Sequence, residues 1–541
     1  MKALVGATGA AGIATAAYFG FTRRSQSIDG RLLGPSAHLG HRLRQPSVGH
    51  SAGPVETIET VIVGGGIAGL SAAWWLHRNG YHDFVLLEIE PHVGGNAAYG
   101  RNAVSAYPWG AHYLPLPGRD ARLVHRLLEE IGVIKGRDAA GRPIYDELHV
   151  CADPQERLYL QGRWQEGVLP QMALTESDQR QYDDFFRTME RYKNMRGRDG
   201  RRAFTIPLDL SSRDPELQAL DRITMADFMA RRGWDSKYLR WYVNYGCRDD
   251  YGLGLDKVSA WAGVHYFAAR DAVAANVDGG SLLTWPEGNG WLVERLRERV
   301  AQHIRTDAMV LAIENGTGEA SLEYEAVTAR RTTRVRARHV IFTAPRFVAA
   351  HVIRGVDANR HGVPAGLAYT PWLVANITLN RLPGGPGAPL SWDNVSYHSD
   401  SLGYIVATHQ ALRAFPKKTV ITYYRPLDAI PEREARSIAL ANKHADWIPG
   451  IVADLERMHR GIKEDIAAID IWIWGHGMSG PGVGFLWGAA RRRMQQSFGR
   501  VHFAHSDMSG ISIFEEAQYR GVQAADQVLR AVGRKGNADA V

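Results

Sequence analysis

The sequence predicts an α/β protein in which a domain built on parallel βαβ units is interleaved with a second, mixed α+β domain. Three observations indicate this fold class. Val61–Val63 is a short apolar run that stops at a set of glycines, after which a helical pattern begins. Phe84–Leu87 is a second apolar run, and it leads directly into Glu88. A further strand, loop and helix pattern occupies residues 501–530, so both ends of the chain carry parts of one layered fold.

The glycines after the first strand have the spacing G-x-G-x-x-G, at Gly64, Gly66 and Gly69. Gly64 permits a tight turn, Gly66 lets the backbone approach a pyrophosphate, and Gly69 lets the helix pack on the strand. Ala68 lies in the first turn of that helix, where free N–H groups attract a diphosphate. Glu88 comes 24 positions after the first glycine and can accept hydrogen bonds from ribose hydroxyls. The unit therefore predicts a bound dinucleotide.

A second glycine turn, Gly94-Gly95-Asn96, follows Glu88, where an NAD domain needs none. With this turn the chain resembles the flavin-containing amine oxidase superfamily, which includes phytoene-type desaturases and protoporphyrinogen oxidase. The resemblance implies a Rossmann-like FAD-binding domain of the glutathione reductase type, in which a V-G-G-R turn closes over the FAD pyrophosphate. Asn96 stands where that family usually has arginine, which removes a cation and keeps a hydrogen-bond donor.

The resemblance assigns further positions to FAD. One turn is expected beside the flavin ring, two segments on the adenosine side, and a final helix whose first N–H groups stabilise negative charge on the reduced flavin. In the family this helix follows an A-G-E/D turn, and Asp507 is the nearest equivalent of its acid. The positions assigned in this way are Gly110, Ala111, His112, Val310, Ala344, Pro345, Asp507, Glu516 and Ala517.

The candidate catalytic residues are His112, Tyr113 and Trp474. The first two follow the turn expected at the flavin, although His112 can equally be a structural histidine. Trp474 ends an apolar run before the glycine- and proline-containing segment 475–482, which resembles the segment at the flavin face of desaturases. No acid–base side chain is strictly required, because the flavin carries the chemistry.

The two cysteines, Cys151 and Cys247, have no metal-binding spacing and lie far from the C-terminal segment. We therefore predict two buried free thiols, non-covalent FAD and no metal. A single disulfide between them is the alternative.

Residues 234–291 are dense in aromatic side chains and contain the polar stretch Arg248–Asp250. An aromatic cavity suits an amine cation or an apolar chain. The first hypothesis is an amine oxidase-like FAD-dependent oxidoreductase, in which a hydride passes from the carbon beside a neutral amine to the flavin and oxygen or another acceptor reoxidises the flavin. The alternative is a desaturase or isomerase of a polyene or porphyrinogen-like substrate. A non-enzymatic prenyl-binding escort protein is a remote third hypothesis, against which the intact glycine motif argues.

The predicted domains are discontinuous. The FAD-binding domain comprises residues 56–117, 280–350 and 470–535, and the substrate domain comprises residues 118–279 and 351–469. A chain of 541 residues is too long for one core, and 45% hydrophobic residues with 22% charged residues are typical of globular proteins.

The N-terminus differs from the rest of the chain. Residues 1–24 form an apolar leader or anchor, because residues 3–21 are uncharged and resemble a weak membrane anchor or an export signal. Residues 25–55 are predicted to be a linker. The location is membrane-associated or exported to the periplasm if the apolar stretch functions, and cytoplasmic otherwise. The first 55 residues hold six basic residues and one acid, which is +5 of the net +7, so the remaining +2 predicts no nucleic-acid partner. The family resemblance implies a small-molecule substrate, either an amine or an apolar compound.

Overall fold

The computed structural model describes residues 28–44, 55–172, 174–357, 362–411 and 417–534. The apolar stretch at residues 3–21 lies outside these ranges. No helix within them is both long enough and apolar enough to cross a bilayer.

A five-stranded sheet forms the centre of the nucleotide-binding half, and all its strands are parallel. Its strands, in spatial order, are Ile304–Arg305, Phe84–Leu87, Thr60–Val63, His339–Phe342 and Val501–Phe503. The strands come from four distant parts of the sequence. Parallel sheets are buried on both faces, which explains why the two apolar runs near the N-terminus do not alternate with polar residues.

The helix Ile67–Arg78 packs between the helices Gly290–Val300 and Phe514–Ala531. The contact with the last helix is close, because a Cβ atom on Gly521 would lie 2.1 Å from the carbonyl oxygen of Ala68. The C-terminal helix Phe514–Ala531 is therefore held against the first turn of the helix Ile67–Arg78, which follows the glycine turn. A smaller sheet lies beside this core, with strands Ala308–Asn315, Ala320–Ala326, Arg331–Ala337 and Val55–Thr57.

The second half is built on an eight-stranded mixed sheet. Its strands, in spatial order, are Leu32–Leu33, Ile466–Pro481, Leu367–Leu379, Thr419–Pro426, Tyr404–Val406, Asp393–Ser396, Glu156–Leu160 and Arg163–Glu166. The helices Glu432–Ala441 and His444–Met458 contribute to the core on one side of this sheet. The strand predicted to end at Trp474 continues to Pro481, because it pairs antiparallel with Leu367–Leu379 along its whole length.

Helices cover the opposite side of the second half, and their starts match local sequence signals. Thr224 accepts a hydrogen bond from the backbone of Asp227, whose side chain accepts one in return from the Thr224 backbone. This capping box satisfies two backbone N–H groups at a helix start. The helices in this region are Glu176–Asn194, Pro215–Gln218, Met225–Arg231, Lys237–Tyr251 and Ala260–Ala268. The remaining α-helices of the described chain are Ala37–Arg42, Arg122–Glu130, Arg346–Val352 and Ala489–Met494.

The predicted linker over residues 25–55 is corrected for residues 28–44, which we call the N-terminal strap. Leu32–Leu33 pairs parallel with Ile471 and Trp472 at the edge of the large sheet. The following helix, Ala37–Arg42, is joined to the body by an ion pair between Arg42 and Glu325. The composition of the segment suggested a linker, yet its few apolar residues find partners more than 400 residues away in sequence.

Candidate active site

A groove lies at the carboxyl ends of the parallel strands, which is where α/β sheets bind their ligands. Its volume is about 820 Å³, and we call it the nucleotide groove. Most residues assigned to FAD from the sequence line it. These are Gly64, Gly66, Ala68, Glu88, Gly94, Gly95, Asn96, Ala111, Val310, Ala344, Pro345 and Ala517.

The three motif glycines have different surroundings. Gly64 has φ +108°, which disfavours any side chain. A Cβ atom on Gly69 would lie 1.9 Å from the carbonyl oxygen of Gly64, so this glycine serves helix packing. A Cβ atom on Gly66 would meet no atom closer than the Cα of Gly95, at 4.0 Å. Gly66 therefore borders free space in the groove, as a close approach to a ligand requires.

Glu88 ends the strand Phe84–Leu87 with a buried carboxylate. One oxygen accepts a hydrogen bond from the N–H of Gly65 at 2.5 Å, and the other accepts one from the N–H of Glu90 at 2.9 Å. Burial raises the pKa of Glu88 to about 7. A ribose hydroxyl group bonded to this carboxylate would favour its charged form, so the residues fit a dinucleotide.

Asp507 and Glu516 were assigned to FAD, but their side chains do not line the groove. Asp507 is fully buried, and one of its oxygens accepts hydrogen bonds from the N–H of Arg346 at 2.7 Å and the hydroxyl of Tyr369 at 2.6 Å. Glu516 accepts from the N–H of Leu208. Both carboxylates satisfy internal donors, so the assignment of their side chains to the cofactor is corrected.

The two residues directly before Asp507 lie at the groove in its place. His505 and Ser506 line it, together with Ser512 and Ala517. His505 and Ser506 follow directly after the strand Val501–Phe503 and Ala504, so they align with the glycine and the acid of the A-G-E/D turn. Ser506 is not an acid, and for that reason the sequence favoured Asp507, one position too far along the chain.

The N-terminal strap covers part of the nucleotide groove. Residues from Leu32 to Leu43 contribute to its lining, and Arg44 does so as well. Ser36 donates two hydrogen bonds to the carboxylate of Glu90, from its N–H at 2.7 Å and from its hydroxyl at 2.9 Å. Glu90 also lines the groove, only two residues after Glu88. The strap therefore closes over the side on which the resemblance places the adenosine.

A second cavity of about 1030 Å³, which we call the aromatic cavity, adjoins the groove. Eight residues line both spaces: Asn96, Ala111, Asn289, Trp474, Gly477, Ser512, Ile513 and Phe514. The side-chain oxygen of Asn289 is buried and lacks a hydrogen-bond partner among the described residues. This shared wall is where the reactive end of a bound cofactor would meet a substrate.

The three candidate catalytic residues all line the aromatic cavity. The ring of His112 stacks on that of Tyr424 at 4.3 Å between centroids, and burial lowers the pKa of His112 to about 4. The hydroxyl of Tyr113 donates to Asp249 at 3.0 Å. The indole N–H of Trp474 donates to the carbonyl oxygen of Trp109 at 2.6 Å. At neutral pH His112 is therefore an uncharged part of the wall.

Acidic side chains outnumber basic ones in this cavity. The acidic lining residues are Glu156, Glu190, Asp249, Asp250, Asp278, Asp393 and Glu515. The basic ones are Arg187, Lys193 and Arg270. Arg270 lies 3.6 Å from both Asp250 and Glu515, so its charge is already shared between two carboxylates.

Three half-buried carboxyl groups of the cavity, those of Glu156, Asp249 and Asp393, form no salt bridge within the described part of the chain, and neither do the exposed ones of Glu190 and Asp278. Burial, together with the neighbouring Asp250, raises the pKa of Asp249 to about 7. Burial raises the pKa of Asp393 well above its ordinary value, and it also raises that of Glu156. Sequence reasoning had singled out only Asp249 and Asp250. Asp393 and Glu156 lie on adjacent strands, where Glu156 pairs with Asp393, and no local pattern indicated this.

Comparisons with known proteins agree with this geometry. The family described as an NAD(P)-binding Rossmann-like domain matches residues 62–131. Oxidoreductase PigB of a Serratia strain is 23% identical over 297 residues, which cover 51% of this chain and 41% of that protein. The chain thus matches less than half the length of this relative.

Solved structures match over most of the chain. A redesigned double mutant of putrescine oxidase gives a TM-score of 0.64 at 16% identity, covering 88% of this chain and 100% of that one. Cyclohexylamine oxidase from Brevibacterium oxydans gives 0.62 at 14% identity, with the same coverage. A fatty acid isomerase from P. acnes gives 0.57 at 15% identity, covering 87% and 98%. The chain therefore shares the fold of these amine oxidases, which is the fold that the sequence resemblance predicted.

Proposed function

We propose that this protein is an FAD-dependent oxidoreductase that oxidises an amine, with the substrate held in the aromatic cavity. The observation that carries the proposal is the set of three half-buried carboxyl groups, Glu156, Asp249 and Asp393, which line the cavity and form no salt bridge among the described residues. Carboxylates that are largely withdrawn from water are costly without a cation or a proton. An ammonium group would supply that charge, and the surrounding aromatic faces would attract it as well.

The glycine turns and Glu88 would hold FAD in the nucleotide groove. The flavin would supply the acceptor for a hydride from the substrate. Asp249 and Asp393 accept hydrogen bonds from two different tyrosines, so they are separate carboxyl groups. Two separate carboxylates suit a substrate with more than one cationic group. Tyr113 donates to Asp249 at 3.0 Å, and Tyr245 donates to Asp393 at 3.3 Å. Putrescine oxidase, whose fold this chain shares, is named for a diamine.

The chain's own part in the reaction concerns the proton of the substrate. An amine gives up a hydride from its neutral form, so the ammonium must first lose a proton. Asp249 has a pKa of about 7 and lines the cavity, so its carboxylate can take that proton near neutral pH. Tyr113 orients the carboxylate through its hydroxyl. The neutral ring of His112 and the indole of Trp474 shape the wall and exclude water.

One observation favours an apolar substrate instead. If Asp249 and Asp393 both hold a proton, the cavity is uncharged and its aromatic lining suits a polyene or another long apolar molecule. A fatty acid isomerase has the same fold. Desaturation or isomerisation is therefore the second candidate function.

The test is anaerobic reduction of the purified protein, followed as loss of the flavin absorbance. Putrescine, cyclohexylamine, a long-chain fatty acid and a polyene are added separately. Bleaching by an amine alone supports amine oxidation, while bleaching or product formation with an apolar compound supports the alternative. A protein that binds no FAD on reconstitution overturns both.

A matched pair of variants links the result to the half-buried carboxyl groups. Asp393→Asn removes a half-buried carboxyl group, whereas Asp278→Asn removes an exposed one from the same cavity. We expect the first to weaken reduction by amines and the second to leave it unchanged. Equal effects of the two substitutions would show that the total negative charge of the cavity, rather than the position of Asp393, determines the rate of reduction by amines.

A further inference from the structure

Three histidines meet at the end of the five-stranded sheet that lies away from the nucleotide groove. His77 is in the last turn of the helix Ile67–Arg78, and His82 lies in the connection that follows. His303 ends the short helical turn before the strand Ile304–Arg305, which pairs with Phe84–Leu87. Two chain segments more than 200 residues apart are thereby joined at this corner.

The ring nitrogens are close enough to share one ion. One nitrogen from each histidine lies within 4.8 Å of the others. Zinc–nitrogen bonds of about 2.0–2.1 Å in a tetrahedron place the ligand nitrogens about 3.4 Å apart. The longest separation must therefore shorten by at most about 1.4 Å, which a small movement of the exposed His82 on its connecting segment can provide.

The protonation of His303 is set by the backbone. Its Nδ1 lies 3.1 Å from the carbonyl oxygen of Phe84, and a carbonyl can only accept, so Nδ1 carries the proton. Nε2 then carries the lone pair, and it is buried without a hydrogen-bond partner among the described residues. Metal-binding histidines commonly donate their second N–H to a carbonyl in this way, which fixes the tautomer. The ring is further held by stacking on Phe84 at 4.0 Å.

His77 contributes a second nitrogen of the same kind. Its Nδ1 is also buried and has no hydrogen-bond partner in the described ranges. Neutral imidazoles are the form that binds metals, whereas calcium and magnesium require oxygen ligands.

We propose that His77, His82 and His303 form a binding site for Zn²⁺ or a similar transition-metal ion, separate from the active site. With three protein ligands, a water molecule would complete a tetrahedral site. The bound ion ties the connection after the first helix to the start of the strand at the sheet edge. Its expected effect is on the stability of the nucleotide-binding domain rather than on chemistry.

The test is Zn²⁺ titration by calorimetry on the full chain carrying no polyhistidine tag, in the flavin-loaded form. We expect binding at one site, weakened by at least about tenfold in His82→Ala and His303→Ala, since each removes one of three ligands. His398→Ala removes an exposed histidine elsewhere and should change nothing. Addition of Co²⁺ should give the visible absorption bands of tetrahedral coordination in the parent protein and not in His82→Ala.

A second readout protects the test against misfolding. His82 is exposed, so the metal-free His82→Ala protein should keep the flavin content and melting temperature of the parent. Zn²⁺ should then raise the melting temperature of the parent but not of that variant. The proposal is overturned if the parent binds no zinc, or if His82→Ala and His398→Ala bind it as the parent does.

Discussion

The change of Asp249 to asparagine tests the proposed proton acceptor. Asparagine keeps the size of the side chain and can still accept the hydrogen bond from Tyr113, but it cannot take a proton. The variant loses the hydrogen bond between the substrate's ammonium group and a charged carboxylate. A hydrogen bond to a charged group contributes about 1.5–3 kcal/mol, which corresponds to a loss of about 10- to 160-fold in kcat/KM for an amine at pH 8. The parent enzyme should itself lose kcat/KM below pH 7, because its carboxyl group has a pKa of about 7.

The assay is steady-state amine oxidation between pH 5.5 and pH 9, with kcat and KM measured separately. In the parent, kcat/KM should rise with pH and level off above about pH 7. The rise should be absent from the Asp249→Asn profile, so that the two proteins converge at low pH. An unchanged rise near pH 7 in the variant would refute the assignment of the proton acceptor.

The same substitution has an opposite effect on stability. The pKa of Asp249 is about 7 in the folded protein against an ordinary 3.8, so the folded state holds a proton that the unfolded state has released. This contribution to stability is fully present below pH 3.8 and is lost as the pH rises through about 7. The difference corresponds to at most about 4 kcal/mol at pH 8. Asp249→Asn should therefore melt at a higher temperature than the parent at pH 8 and show little difference near pH 4, measured by calorimetry.

Four further predictions concern the glycine motif, the strap and the cysteines. Gly69→Ala should destabilise the protein by about 1–3 kcal/mol in thermal unfolding, because its Cβ meets a carbonyl oxygen at 1.9 Å. Gly66→Ala should fold normally and lose FAD affinity, measured by ultrafiltration, because its Cβ enters open space in the groove. Deleting residues 1–44 should speed FAD release, since the strap lines the groove. Cys151 and Cys247 should resist a thiol reagent until denaturant is added, because burial raises the pKa of both thiols.

Each of these experiments has a matched control. The two glycine variants control for each other, and equal flavin loss with equal stability would contradict the division of their roles. Deletion of residues 1–27 leaves the strap in place, so it should retain FAD like the full chain. Rapid labelling of either cysteine in the folded protein would show that its surroundings open on the time scale of the reaction.

The sequence was sufficient for features set by neighbouring residues. The first strand, the glycine turn, the helix and Glu88 lie within 30 residues, and each glycine requirement comes from local backbone geometry. The capping box at Thr224 could be recognised for the same reason. The aromatic density of residues 234–291 indicates a cavity wall. In the structure Tyr242, Tyr245 and Tyr266 line the aromatic cavity.

Other features depended on which distant segments become neighbours. The sequence predicts a linker at the strap because Leu32–Leu33 has no partner until the strand that contains Ile471 lies beside it. Asp507 was assigned to the cofactor because a sequence motif does not reveal which donors a carboxylate meets, and here they are Arg346 and Tyr369.

The sequence by itself therefore determined that a dinucleotide-binding unit is present and which glycines form it. Only the tertiary structure placed Glu156, Asp249 and Asp393 in one cavity, covered the groove with residues 28–44, and brought His303 to His77. The physical reason is that backbone conformation depends on near neighbours, whereas burial, pKa and charge pairing depend on strand order and helix packing across the whole chain.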